Sequence, residues 1–178
     1  MKNSLLEHIA EARVSYELHR AGFLVAKPKP DLTGTDLLVF SEMQDGVKFC
    51  RIQCKGRSLV SSPKSNIKIP RRYVSNGSIA ILYLQISQNE NRMYCFFPSD
   101  ICQWHLTSKN RYQLSLSRSN VREKLDFYNF DETKVDLIRL LIRNAETSGE
   151  FHTLVYGKAE VKLAPPRVSG SGVVNYDT

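Results

Sequence analysis

Three short pieces of the chain hold residue types that can do chemistry together. The first is Gly34-Thr35-Asp36. The second begins seventeen residues after Asp36 and reads Gln53-Cys54-Lys55-Gly56. The third is Glu11, well ahead of both. Gln53 and Lys55 are two residues apart, so on a strand they project from one face. An acid at the mouth of the paired strand would stand beside them. Glu11, on a helix packed over the sheet, would join the group. Two carboxylates, an amide oxygen and an ammonium would then surround a small space. A few hard oxygen ligands suit Mg²⁺ with several waters retained. Such an ion polarises a phosphate and lowers the pKa of bound water. A lysine beside it orients that water or stabilises charge developing on the phosphate. These are the parts that phosphodiester hydrolysis needs.

The surrounding elements must place those residues. Residues 4–21 read as an amphipathic helix, with Leu5, Leu6, Ile9, Ala10, Val14, Leu18 and Ala21 on an apolar face and Gly22 at its end. Phe23–Ala26 reads as a short strand and residues 27–35 as a turn-rich loop. Asp36–Ser41 and Val47–Cys54 read as a hairpin. In the second of these strands the apolar alternation Val47, Phe49, then Ile52, Cys54 implies a phase slip. Residues 56–66 look loop-like, and Ile67–Pro70 suggests a short strand. Ser78–Ile86 is nearly all apolar, as for a strand buried on both faces. Arg92–Phe97 is another strand, ended by Pro98, with Ser99 or Asp100 placed to cap a short helical turn. Tyr112–Leu116 alternates weakly, and Ser119–Tyr128 has helical character. Asp131 is placed to cap a helix over 132–145, with Val135, Ile138, Leu141 and Ile142 on one face. The predicted fold class is α/β, a central mixed β-sheet flanked by helices. One domain over 1–163 is expected, with core motifs in 5–100, a helical part in 119–147 and a flexible tail at 164–178.

Composition bounds the partners. The chain has 178 residues and a formal net charge of +7. Residues 1–60 carry net +2, residues 61–124 net +7 and residues 125–178 net −2. The middle third therefore holds the whole imbalance, and a concentrated basic face favours a polyanion. A merely solvated basic surface is the alternative. No apolar run is long enough to span a membrane, and the N-terminal segment lacks a signal-peptide pattern. Cys50, Cys54, Cys95 and Cys102 form no CxxC pair and read as reduced residues of a cytoplasmic protein.

Residues 5–100 resemble the PD-(D/E)xK nuclease superfamily in its Gln-x-Lys variant. The match runs from a helix glutamate, through Gly-Thr-Asp opening a strand, to Ile-Gln-Cys-Lys-Gly on the next strand. This pattern is similar to archaeal Holliday junction resolvases and related restriction endonuclease-like proteins. The stretch Tyr94–Asp100 also looks like a strand and turn found in several members. The resemblance implies a metal-dependent DNA endonuclease using Mg²⁺ or Mn²⁺. It implies Asp36 as main metal ligand, Lys55 as catalytic lysine, Gln53 in place of the second acidic ligand, and Glu11 as the helix glutamate. The backbone carbonyl of Cys54 would be a further ligand. Arg57, Lys64, Lys68, Arg71 and Arg72 follow the motif and could contact phosphates, and Tyr73 adds a ring beside guanidinium groups. DNA is the implied partner; branched DNA and a homodimer stay open.

Each residue also has a plainer reading. Asp31 follows Pro30 and supplies a literal Pro-Asp, but Asp36 directly abuts the strand. Asp36 alone could cap a turn, Lys55 could guard an edge strand, and Glu11 could be an ordinary helix-edge acid. Gln53 is neutral, so cation binding there is weaker than with a carboxylate. A non-catalytic nucleic-acid-binding module with a degenerate nuclease fold is therefore the second expectation. An unrelated α/β domain with an incidental basic face is the third.

Overall fold

The first helix, α1 (Asn3–Arg20), exists because Leu6, Ala10, Val14 and Leu18 recur every fourth residue. All four are buried and make one stripe. Gly22 ends it with φ +84°. The Gly22 N–H donates to His19 C=O and the Phe23 N–H to Leu18 C=O, a Schellman closure. Phe23 and Leu18 then share the core.

Strand β1 (Leu24–Ala26) pairs with β2 (Leu37–Met43), which pairs with β3 (Gly46–Ser58), all antiparallel. β3 runs parallel to β5 (Ser78–Gln85), and β5 antiparallel to β6 (Asn91–Phe96). The five-stranded sheet therefore has the order β1-β2-β3-β5-β6. Between β3 and β5 the chain forms β4 (Lys64–Pro70) and a 3-10 turn, Arg71–Tyr73. β4 joins β7 (His105–Leu106) and β8 (Arg111–Ser117) in a second sheet, ordered β4-β8-β7. The short helices α2 (Pro98–Ile101) and α3 (Val121–Leu125) and the longer α4 (Glu132–Arg143) complete this unit.

Two cores sandwich the large sheet. On one face Val14, Leu18, Ile138 and Ile142 from α1 and α4 pack on Cys50, Ile52, Cys54, Ile79 and Ile81. On the other, Ala80, Leu82 and Leu84 meet Ile67 and Ile69 of β4, Leu116 of β8, and Ile101, Val121 and Leu125. β5 is thus covered on both faces, which is why its sequence is continuously apolar.

The computed structural model describes residues 3–28, 34–43, 46–60 and 62–145, with strand segments beyond. The chain divides into two units, residues 1–145 and 146–178. In the second, β9 (Thr153–Tyr156) pairs with β10 (Ala159–Lys162), and β11 (Arg167–Val168) with β12 (Val174–Asn175), both antiparallel. The boundary expected after residue 163 falls inside that unit, outside the described residues. Asp31 also lies outside them.

Several local expectations change. No phase slip interrupts β3, because its pairing with β2 is continuous from Gly46 to Ile52. The inward set is Cys50, Ile52 and Cys54, while Val47 is 58% exposed. Residues 56–66 are not one loop: β3 continues to Ser58 and β4 begins at Lys64. The cap of α2 is Phe97, with Pro98 as first helical residue; Asp100 instead reaches back to accept the Phe97 N–H at 2.9 Å. Asp131 does cap α4, accepting the Lys134 N–H at 3.0 Å.

Candidate active site

The site forms where β2 leaves β3. The last ladder pair is Leu37 with Ile52. One residue earlier, the Asp36 N–H donates to Ile52 C=O at 2.9 Å. Its carboxylate Oδ2 accepts the Cys54 N–H at 2.6 Å. A side chain thus replaces the backbone that would have continued the ladder, and the bond is charge-assisted. β3 goes on past this notch with Gln53, Cys54 and Lys55.

The loop into Asp36 is held tightly. Gly34 has φ +68°, which favours glycine. A Cβ there would meet Tyr73 Cδ2 at 2.3 Å. The Tyr73 ring therefore packs against the backbone two residues before Asp36. Arg72 stacks over this ring at 5.0 Å and donates from Nη2 to the Tyr73 hydroxyl at 3.0 Å.

Gln53 Oε1 is buried with no hydrogen-bond partner among the described residues. Buried acceptors are normally satisfied, so such an atom calls for a cation or a donor. Gln53, Gly34, Thr35, Arg51, Tyr73 and Ser78 line a cavity of about 20 Å³, room for one water molecule. Lys55 projects from the same face of β3, half-buried, with no hydrogen bond or ion pair among the described residues.

Glu11 approaches from α1, on the opposite face. Gly56 permits this closeness: a Cβ there would lie 2.1 Å from Leu6 C=O. The Glu11 carboxylate is ion-paired with Lys27. Hydrogen bonding to Glu11 is the main cause that raises the Lys27 pKa above its ordinary value, and the charges of Glu11 and Asp36 add to it. Burial pushes the Cys54 thiol well up. Asp36 and Glu11 push it further, while Lys55 and Lys27 oppose them. The Cys54 thiol therefore stays neutral in the core.

The donor chemistry fits a hard divalent cation: the Asp36 carboxylate, the orphaned Gln53 oxygen and, beyond Lys27, the Glu11 carboxylate. Among the described residues no three His, Cys, Asp or Glu side chains form a metal-ligating group. Any such site would therefore rely on Gln53, backbone oxygen and water for its remaining ligands. Lys27 is the residue that sequence reasoning missed. It lies in a Lys-Pro-Lys-Pro stretch whose prolines mark a turn, with nothing to signal its partner sixteen residues earlier.

The expected basic residues separate into two kinds. Arg57 is held within the protein, donating to Glu7 Oε1 at 2.9 Å and to Gly56 C=O at 2.7 Å. Lys64, Lys68, Arg71 and Arg72 are exposed.

A bacterial homing endonuclease, I-Ssp6803I, has a similar structure. The likeness has a TM-score of 0.54 at 16% identity, covering 82% of this chain and 100% of that one. The two chains share a fold, a central mixed sheet flanked by helices. A second solved structure, Hjc, a Holliday junction resolvase from Archaeoglobus fulgidus, aligns with a TM-score of 0.36 at 12% identity, over 62% of this chain and 97% of that one. At that score the second likeness carries no weight. No protein-family model matches the sequence, and no curated protein matches it. Among the described residues no helix is long and apolar enough to cross a membrane.

Proposed function

We propose that this chain is a metal-dependent DNA endonuclease that hydrolyses phosphodiester bonds. The observation that carries the reading is the buried, unpartnered Gln53 Oε1 on β3, one strand away from the Asp36 carboxylate. Asp36, Gln53 and the Cys54 carbonyl would hold Mg²⁺ or Mn²⁺. When bound, that ion supplies Lewis-acid polarisation of the phosphate and a water of lowered pKa. Lys55, two residues beyond Gln53, orients the attacking water and balances charge growing on the phosphate. The water oxygen bonds to phosphorus and gives up a proton to solvent, the phosphorus–oxygen ester bond breaks, and the leaving oxygen takes a proton from solvent. Glu11, on the helix side of the sheet, would be a further ligand if its ion pair with Lys27 opened.

Plasmid nicking with Mg²⁺ or Mn²⁺ tests this, with thermal melts run in parallel. Asp36→Ala and Lys55→Ala should each abolish nicking while the protein still melts cooperatively. Undiminished cleavage by both variants removes the mechanism. A second reading, a DNA-binding module without catalysis, is favoured by one observation: Lys27 already neutralises Glu11. Salt-sensitive DNA binding with no heat of Mn²⁺ binding would select it.

A further inference from the structure

The second sheet turns one face to the core and the other to solvent. Ile67, Ile69 and Leu116 are buried beneath it. The alternate β4 residues Lys64, Asn66 and Lys68 are exposed. Register sets Asn66 opposite Ser115 and Lys68 opposite Gln113. Gln113 Nε2 donates to Ser115 Oγ at 3.2 Å, so both side chains share that outer face. Arg111, opposite Pro70, is exposed at its end. β4, β7 and β8 contain no acid, and neither do residues 46–89 or 101–122.

We infer that this outer face docks duplex DNA. Lys64, Lys68 and Arg111 contact phosphates, and Asn66 and Gln113 read base edges in the major groove. The major groove admits a two-stranded β-ribbon, and amide side chains pair bidentately with adenine. The face is acid-free, cationic at three points and furnished with amides between them, which is the charge and hydrogen-bonding complement of a duplex. The choice of DNA over another polyanion rests on the nuclease reading. The face also connects to the site: β4 runs directly into Arg71–Tyr73, and Tyr73 packs on Gly34 ahead of Asp36.

The test uses the full chain in EDTA, so that binding is separated from cleavage. Affinity for random-sequence duplex DNA is measured across a salt series. The Lys64→Ala, Lys68→Ala, Arg111→Ala triple variant should reduce the salt slope by roughly two to three and weaken binding at least about tenfold. Arg20→Ala, a charge removed from α1 instead, should leave the slope unchanged. Lys68→Glu alone should weaken binding as well, which guards against misfolding of the triple. Selection from the same duplex pool should enrich a sequence with the native protein and none with Asn66→Ala, Gln113→Ala.

An unchanged slope in the triple variant overturns the proposal. So does tighter binding of duplex RNA, or a pool from which native and amide variants enrich alike. Nicking that depends on Asp36 and Lys55 without any of these binding effects leaves the nuclease reading intact and removes the face. The binding effects without nicking do the reverse.

Discussion

Asp36 accepts the backbone N–H of Cys54 at 2.6 Å, so the acid proposed to hold the ion also closes the β2–β3 ladder. Structure and chemistry are joined in one carboxylate, and the two can be separated by choice of substitution. Asp36→Ala leaves the Cys54 N–H without that acceptor and should cost about 1–3 kcal/mol of stability. Asp36→Asn keeps an acceptor oxygen and should cost less. Both should abolish nicking. Urea unfolding of the two variants decides it, and equal stabilities would mean that the bond contributes nothing.

Gln53→Glu places a second carboxylate beside Asp36. Without a cation, like-charge repulsion and burial should lower stability by roughly 1–3 kcal/mol. A cation seated between them should restore it, because a ligand that binds only the folded state stabilises that state. Melting in EDTA and in Mn²⁺ should therefore differ more for Gln53→Glu than for the native chain. An equal response would place the cation elsewhere.

Gly34 carries two constraints at once, its φ of +68° and the Tyr73 ring against it. Gly34→Ala should cost about 1–2 kcal/mol for the left-handed backbone alone, and more for the clash. Tyr73→Ala removes the clash and leaves the backbone term. The two substitutions should thus be less than additive in a double-mutant cycle read by urea titration. Simple additivity would show that the ring does not brace the loop.

The thiols should distinguish themselves by pH and by reagent. Cys50, Cys54 and Cys95 are buried and Cys102 is exposed. A thiol reagent at neutral pH should therefore label Cys102 quickly and the other three only on unfolding. Burial pushes the Cys50 thiol from 9.0 up to about 12. The folded state therefore favours the protonated thiol. This contribution is fully present below pH 9.0 and declines as pH rises from there toward about 12. The slope is at most about 1.4 kcal/mol per pH unit for the one thiol. Cys50→Ala should flatten the alkaline fall of stability.

Much of the frame was legible because it is written in neighbours. The stripe Leu6, Ala10, Val14, Leu18 and the glycine after it define α1 through period and backbone freedom alone. The apolar run of β5 declares a strand covered on both faces. The spacing of Gln53 and Lys55 puts them on one face in any strand. Alternation misled where Val47 and Phe49 lie at the strand's exposed beginning and only Cys50 onward meets the core. Composition also misled over residues 56–66, because an outward-facing strand such as β4 is polar at every second position and resembles a loop.

What tertiary structure alone decided are the pairings between distant segments. Lys27 reaches Glu11, β4 takes β8 as its partner across some forty residues, and Gly56 is bare because the α1 backbone passes over it. None of these leaves a local period in the chain. They follow from which surfaces can bury apolar area against each other, a property of the assembled layers rather than of any one segment. The residue types for chemistry were thus set by sequence, whereas the notch in which the Asp36 carboxylate meets the Cys54 N–H exists only once β2 parts from β3.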